Sequence, residues 1–148
     1  MATLSSPVRV YPYSSWWLQQ RNIYNFMTTS GSPYYVHMKT NIPSGGDSMW
    51  MIEAVGYNYG NGNATRSAWG FYVYSNSFYK VGLQNAYAGI SADGVYKSSD
   101  NYVVLRAYCV GNYFNGFMLN AYPTRSNTTH YNVTITAASQ NDNSGSYY

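Results

Sequence analysis

From Tyr34 onward the chain is a succession of short runs in which apolar and polar residues alternate, each closed by a cluster of Gly, Asn, Ser or Asp. A two-residue period marks strands with one face in a core and the other in solvent. Tyr34 to Asn41 is one such run, closed by Pro43 and the turn Ser44-Gly45-Gly46-Asp47. Ser48 to Tyr59 is the longest, with Trp50, Ile52 and Ala54 on one face and Met49, Met51, Val55 and Tyr57 on the other. Both of its faces are apolar over the first half, which predicts burial there on both sides. Beyond the turn Gly60-Asn61-Gly62-Asn63 come Arg66 to Ser75, Phe78 to Leu83, Tyr102 to Val110, Tyr113 to Ala121 and Thr129 to Ala137. Turns are expected at Ser75-Asn76-Ser77, Asp93-Gly94, Ser98-Ser99-Asp100 and Gly111-Asn112, with a loop from Pro123 to Thr128. Seven or eight strands at nearly even spacing predict an all-β fold, a single antiparallel β-sandwich or jelly-roll-like domain.

The ends read differently. Residues 1–13 carry Pro7 and Pro12 and are expected as an extended arm, in which Val8 and Val10 alternate with Arg9 and Tyr11. Ser14 to Met27 fits two templates. As a helix capped by Ser14 or Ser15, it places Trp16, Gln20, Ile23 and Met27 on one face; as a strand it aligns Trp16, Leu18, Gln20, Asn22, Tyr24 and Phe26. The balance leans to a short helix. The sandwich is expected over 14–138, followed by a Ser/Asn/Gly-rich tail, 139–148, that is mobile unless a partner orders it.

Composition narrows the function classes. Charged residues make up 9% of the chain, against about 25% in ordinary soluble domains, which disfavours helical bundles with their Glu- and Lys-rich outer faces. No apolar stretch approaches the ~20 residues of a membrane-spanning helix, and residues 1–11 show no apolar core of a secretory signal. The net charge of +3 comes from scattered residues without a basic run, so neither membrane insertion nor nucleic-acid binding is expected. Cys109 is the single cysteine, which excludes an intrachain disulfide; it is expected to face inward with Val103, Leu105 and Ala107.

The catalytic inventory is thin. Asp47, Asp93, Asp100 and Asp142 fall in turns or the tail, where Asp bonds its own backbone. Glu53 alone is mid-strand, and an ion pair with Arg66 or Arg106 on an adjacent strand, or a place at a subunit contact, explains it better than acid catalysis. A glycosidase needs two carboxylates about 5 to 9.5 Å apart, and no second mid-strand acid exists. His37 and His130 lack metal-ligand spacing and are expected as ordinary exposed histidines. Three Asn-x-Ser/Thr sequons, at Asn63, Asn127 and Asn132, are expected by chance in so Asn- and Thr-rich a chain. Neither an enzyme, a metal site nor a cofactor is expected.

What remains is aromatic excess. The chain holds 19 Tyr, 5 Phe and 4 Trp, more rings than a domain this size buries beside its aliphatic residues. Tyr presents a rigid apolar face with a polar tip, which suits interfaces, and Tyr with Ser, Asn and Gly is the palette of a binding loop. Candidates for subunit or ligand contact are Tyr57, Tyr59, Tyr72, Tyr74, Tyr113, Tyr147 and Tyr148. Trp16, Trp17, Trp50 and Trp69 are candidates for stacking on a sugar ring.

Three phrases carry a resemblance: HMKTNIP from His37 to Pro43, MWMIEAVGYNYG from Met49 to Gly60, and SSDNYVVLR from Ser98 to Arg106. Over residues 34–121 the chain resembles modules of tail-fibre and other virion proteins of tailed bacteriophages, cyanophages especially. The resemblance implies a β-rich, noncatalytic, self-associating component of the particle surface, with other virion proteins as partners. A tail-fibre or attachment module is the reading it favours; a capsid decoration protein, or a lectin-like module binding host-surface glycans, is the alternative. At 148 residues the chain has neither a shaft nor a coiled-coil trimerisation stretch.

Overall fold

A computed structural model describes residues 20–86, 89–111, 113–126 and 132–148. The expected arm, Trp16, Trp17 and His130 lie outside the described residues. Among the described residues nine antiparallel strands form two sheets: β1 (Gln20–Thr28), β2 (Tyr34–Pro43), β3 (Asp47–Asn58), β4 (Asn63–Tyr74), β5 (Ser77–Ala86), β6 (Ile90–Lys97), β7 (Tyr102–Cys109), β8 (Asn115–Ser126) and β9 (Ile135–Asn141). One sheet runs β1-β8-β3-β4-β5 and the other β6-β7-β2-β9. The chain passes between sheets five times, so neither sheet is built from a continuous stretch of sequence. The expected sandwich is observed.

The core lies where the inward faces meet. Trp50, Ile52 and Ala54 of β3, Trp69, Phe71 and Val73 of β4, and Val36 and Met38 of β2 are buried with Val103, Leu105, Ala107 and Cys109 of β7. Trp69 is fully buried and its indole N–H donates to the Arg106 carbonyl of the facing sheet at 3.0 Å. Buried hydroxyls answer buried backbone groups in the same way: Thr40 Oγ1 donates to the Val103 carbonyl at 2.8 Å.

Several local expectations are corrected. Residues 20–27 are strand, not helix: β1 pairs with β8, and a register shift between Gln20 and Tyr24, with Asn22 at φ 56°, breaks the alternation that would have shown it. Asp93-Gly94 is a bulge inside β6 rather than a turn. Pro123 lies inside β8, opposite Trp50, at a register shift; a bulge tolerates the missing N–H, so the strand runs on to Ser126 where a loop is expected. The last strand is Ile135–Asn141, not 129–137. The outer face of β3 is not buried: Met49 and Met51 are each 38% exposed, because only its inner face meets the other sheet.

The two ends of the sandwich are braced differently. At one, buried Ser44 bonds the β4–β5 turn and the β6–β7 turn through Asn76 and Asn101. That β4–β5 turn has Ser75 and Asn76 both at positive φ (48° and 62°), the primed geometry that matches strand twist in a two-residue hairpin. At the other end, buried Asn58 and Asn115 hold the loops together.

Candidate functional site

The candidate tyrosines fall into three groups. The first caps the Asn58–Asn115 end. Tyr57 of β3 and Met27 of β1 are both aligned with Gly116 of β8, so one register row carries two large side chains with a glycine between them. Tyr59 and Phe114 follow from the β3–β4 and β7–β8 connections, their rings edge to face at 5.7 Å. Tyr113 lies over Gly31, where an added Cβ would come within 3.3 Å of the ring. All five are exposed: Met27 75%, Tyr113 64%, Tyr59 63%, Tyr57 53% and Phe114 52%.

Amides set the position of this group. Asn58 Nδ2 donates to Asn115 Oδ1, Asn115 Nδ2 donates to the Val110 carbonyl at 2.9 Å, and Asn58 Oδ1 accepts the Asn61 N–H at 2.8 Å. The Tyr59 N–H donates to the Phe114 carbonyl at 3.3 Å. Phe114 stands at φ 59°, a left-handed conformation costly for a bulky residue. The bracing loops hold an exposed ring in strained backbone, and such strain collects at functional positions.

The second group lies on the outer face of the five-stranded sheet. Tyr72 stacks on Tyr74 at 6.4 Å and meets Tyr79 of β5 at 5.8 Å. Beside them, Gly70 and Gly82 are paired across β4 and β5, leaving that face bare. Next along is an open cleft of about 450 Å³ lined by Met51, Glu53, Arg66, Ala68 and Gln84. Glu53 is nearly buried; its Oε1 accepts hydrogen bonds from Asn120 Nδ2 at 3.2 Å and from the Tyr122 hydroxyl, and its Oε2 is 3.6 Å from Arg66 Nε. The expected ion pair therefore forms with Arg66; Arg106 pairs instead with Asp93 at 2.6 Å on the other sheet. The remaining β3 acid, Asp47, is six residues from Glu53, roughly 20 Å along the strand.

The third group is the tail, and it is packed rather than free. Ser139 to Asn141 belong to β9, and Asn143, Gly145 and Tyr147 beyond it bond His37, Arg106 and Tyr96 of the four-stranded sheet. They cover His37, which is fully buried rather than exposed. His37 Nε2 is 2.8 Å from the Asn143 carbonyl and Nδ1 is 2.9 Å from the Tyr96 hydroxyl. Tyr147 and Tyr148 direct their N–H groups to the same hydroxyl at 3.0 and 3.4 Å, and the Tyr147 ring lies 5.5 Å from the imidazole. Arg106 Nη1 donates to the Gly145 carbonyl at 3.2 Å. Burial lowers the His37 pKa from its usual 6.5, opposed by the Asn143 carbonyl, with Arg106 lowering and Asp93 raising it further.

Trp50 and Trp69 are core residues and present no stacking face. Met27, Phe114 and Tyr79 are exposed partners that the sequence reading did not single out. Tyr79 alternates with inward-leaning Phe78 and was legible in principle; Met27 was not, since the register shift in β1 changes the phase before it, nor was Phe114, which the β7–β8 connection turns outward. Cys109 is buried, and burial pushes its thiol up to about 12. Among the described residues no three His, Cys, Asp or Glu side chains gather as a metal site.

No protein-family model and no curated protein sequence matches the chain. Among solved structures it is similar to the tailspike protein of Acinetobacter phage vB_ApiP_P1, at 12% identity and a TM-score of 0.35. The likeness covers 92% of this chain and 24% of that one, so the chain spans about a quarter of the tailspike's length. None of the comparisons points to cyanophages.

Proposed function

We propose that this protein is a non-enzymatic, self-assembling structural module of a phage particle that presents an aromatic contact surface for attachment. The observation that carries this reading is the loop-end group Met27, Tyr57, Tyr59, Tyr113 and Phe114. Exposed large apolar side chains gathered at one end mark a contact surface, and the buried Asn58–Asn115 pair braces the loops that carry them, so little ordering remains to be done on binding. The tail-fibre-like phrases in residues 37–106 supply the particle context. Adsorption to host cells tests it: labelled protein binds cells, and Tyr59→Ser with Phe114→Ser abolishes binding while leaving the fold intact. Binding that survives both changes sinks the attachment role.

A carbohydrate-binding reading is favoured by the outer-face cleft. There Arg66 and Gln84 offer donors and acceptors for sugar hydroxyls, and Tyr72 and Tyr79 lie close by. A glycan array on wild type and Gln84→Ala separates it from the loop-end surface, which does not involve Gln84.

A further inference from the structure

We propose that the β5 edges of two copies pair antiparallel about a two-fold axis at Leu83, joining the two five-stranded sheets into one. The inference rests on the self-assembly part of the function proposed above, and it names the surface and its register.

β5 lies at the end of the five-stranded sheet, and among the described residues no strand pairs with its far side. It is exposed on both faces along nearly its whole length. Leu83 is aligned with core residue Trp69, and Val81, two positions away, shares that side; they remain 39% and 44% exposed. An uncovered core margin and an open backbone edge thus coincide on one strand. Sheet edges are commonly guarded by charge, yet Val81-Gly82-Leu83-Gln84-Asn85 carries none. The one charge of β5, Lys80, stands at φ 52° beside the register shift between Gly70 and Tyr72, and that bulge ends the regular stretch.

The stretch is complementary to itself. Gly82 and Gln84 share the outer side, aligned with Gly70 and Ala68 of β4. A Cβ at Gly82 would meet nothing within 4 Å, whereas Gln84 carries a long side chain that lines the outer-face cleft. A gap and a long side chain therefore lie two residues apart on one side of the strand. Rotation about Leu83 sets Gln84 of each copy across from Gly82 of the other, so both gaps are filled at once. An axis at Gly82 would instead set glycine against glycine and leave the gaps open.

The core side fits the same register. The two Leu83 side chains meet at the axis and cover each other. Val81 then faces Asn85 of the second copy, whose amide is already satisfied: it accepts the Ala92 N–H at 2.6 Å and donates to the Ala92 carbonyl at 3.1 Å. Lys80 falls opposite Ala86, so no like charges meet. The contact uses one patch on both copies and closes at two. It lies at the edge opposite β1, away from Met27 of the loop-end group.

The test uses the full chain, with buried Cys109 left in place. Directly opposed Cα atoms of an antiparallel pair lie about 4.5 to 5.5 Å apart, within reach of a disulfide. Leu83→Cys should therefore cross-link to itself under mild oxidation. Val81→Cys should not, since the two copies of that position are offset by about 13 Å along the strands. Light scattering is run on the wild type, on Leu83→Lys, which opposes two charges at the axis, and on Gly82→Val, which fills the gap that its own chain leaves open. Expected are a dimeric wild type, a monomeric Leu83→Lys, and a Gly82→Val dimer weakened about tenfold or more, with the circular dichroism spectrum of Gly82→Val unchanged. If Leu83→Lys unfolds, Gly82→Val decides. An oligomeric wild type overturns the β5 pairing and leaves self-assembly standing if Leu83→Cys fails to cross-link, if Val81→Cys cross-links equally well, or if Gly82→Val associates as tightly as the wild type. A monomeric wild type overturns both.

Discussion

The Nδ1 atom of His37 and the hydroxyl of Tyr96 form a directed pair, 2.9 Å apart, from which the C-terminal segment hangs. The Asn143 carbonyl can only accept, so Nε2 carries the proton and Nδ1 accepts from Tyr96. The Tyr96 oxygen is then left to accept the N–H groups of Tyr147 and Tyr148. A doubly protonated imidazole would aim a third donor at that oxygen.

The tail is therefore expected to loosen in acid. Burial holds the folded-state pKa of His37 below 6.5, its usual value. Above about 6.5 the ring is neutral folded or unfolded, and its contacts contribute in full. As pH falls below that, the unfolded chain takes up the proton first, and the contribution is lost down to the folded-state pKa. Hydrogen-exchange protection factors at residues 143–148, taken against the intrinsic rate at each pH, should fall over this window in the wild type. Tyr96→Phe should show fast exchange already at pH 7.5, with roughly 1 to 2 kcal/mol less protection. Protection that is flat from pH 7.5 to 5 removes His37 from the account.

Phe114→Gly separates stability from contact. Glycine adopts φ 59° without a steric penalty, which should return about 1 kcal/mol and offset much of the lost ring contact with Tyr59. The thermal midpoint should hold or rise while cell adsorption falls. A fall in both would mean that Phe114 is a structural residue.

Gly56→Ala should be among the most damaging small substitutions in the chain. An added Cβ would sit 2.8 Å from Phe117 Cα and against the Gly116 carbonyl of β8. Both strands are interior to the sheet, so neither can yield easily, and a loss above about 3 kcal/mol is expected. Urea denaturation reads it directly; a midpoint within error of the wild type would show that the strands separate freely here.

Glu53→Gln should be nearly silent. The new side-chain oxygen still accepts from Asn120 and Tyr122. The lost ion pair is long and its Arg66 partner is 71% exposed, so the change should stay within about 1 kcal/mol. Assembly and adsorption should be unchanged. A bond-cleaving activity present in the wild type and absent from this variant would overturn the non-enzymatic reading.

Where the two-residue alternation is unbroken, sequence alone places the core. Val103, Leu105, Ala107 and Cys109 were legible as one inward row, and Trp50 with Ile52 and Ala54 as another. Trp50 and Trp69 are expected as sugar platforms, but they lie on such inward rows of β3 and β4 and are core residues instead. Bulges are where legibility ends. At Asn22 an extra residue shifts the phase and lets a helical period fit; Asp93-Gly94 imitates a turn; Pro123 imitates a break. The surface groups were legible only as a surplus of rings. Which tyrosines meet depends on pairing between strands far apart in sequence, as with Tyr57 and Met27 through Gly116. The burial of His37 depends on a segment more than a hundred residues away.

The amide brace of Asn58 and Asn115 has a bearing on how strongly the attachment surface proposed above would hold. Rings already held in place forfeit little freedom when they touch a receptor, but a handful of them still makes a weak single contact. Copies joined in one assembly change the arithmetic, because once one contact forms the others act at a high effective concentration. Avidity can then exceed any single affinity by about 10² to 10⁴ without a new bond. A weak, rigid patch repeated many times grips firmly and still lets each contact release and be remade.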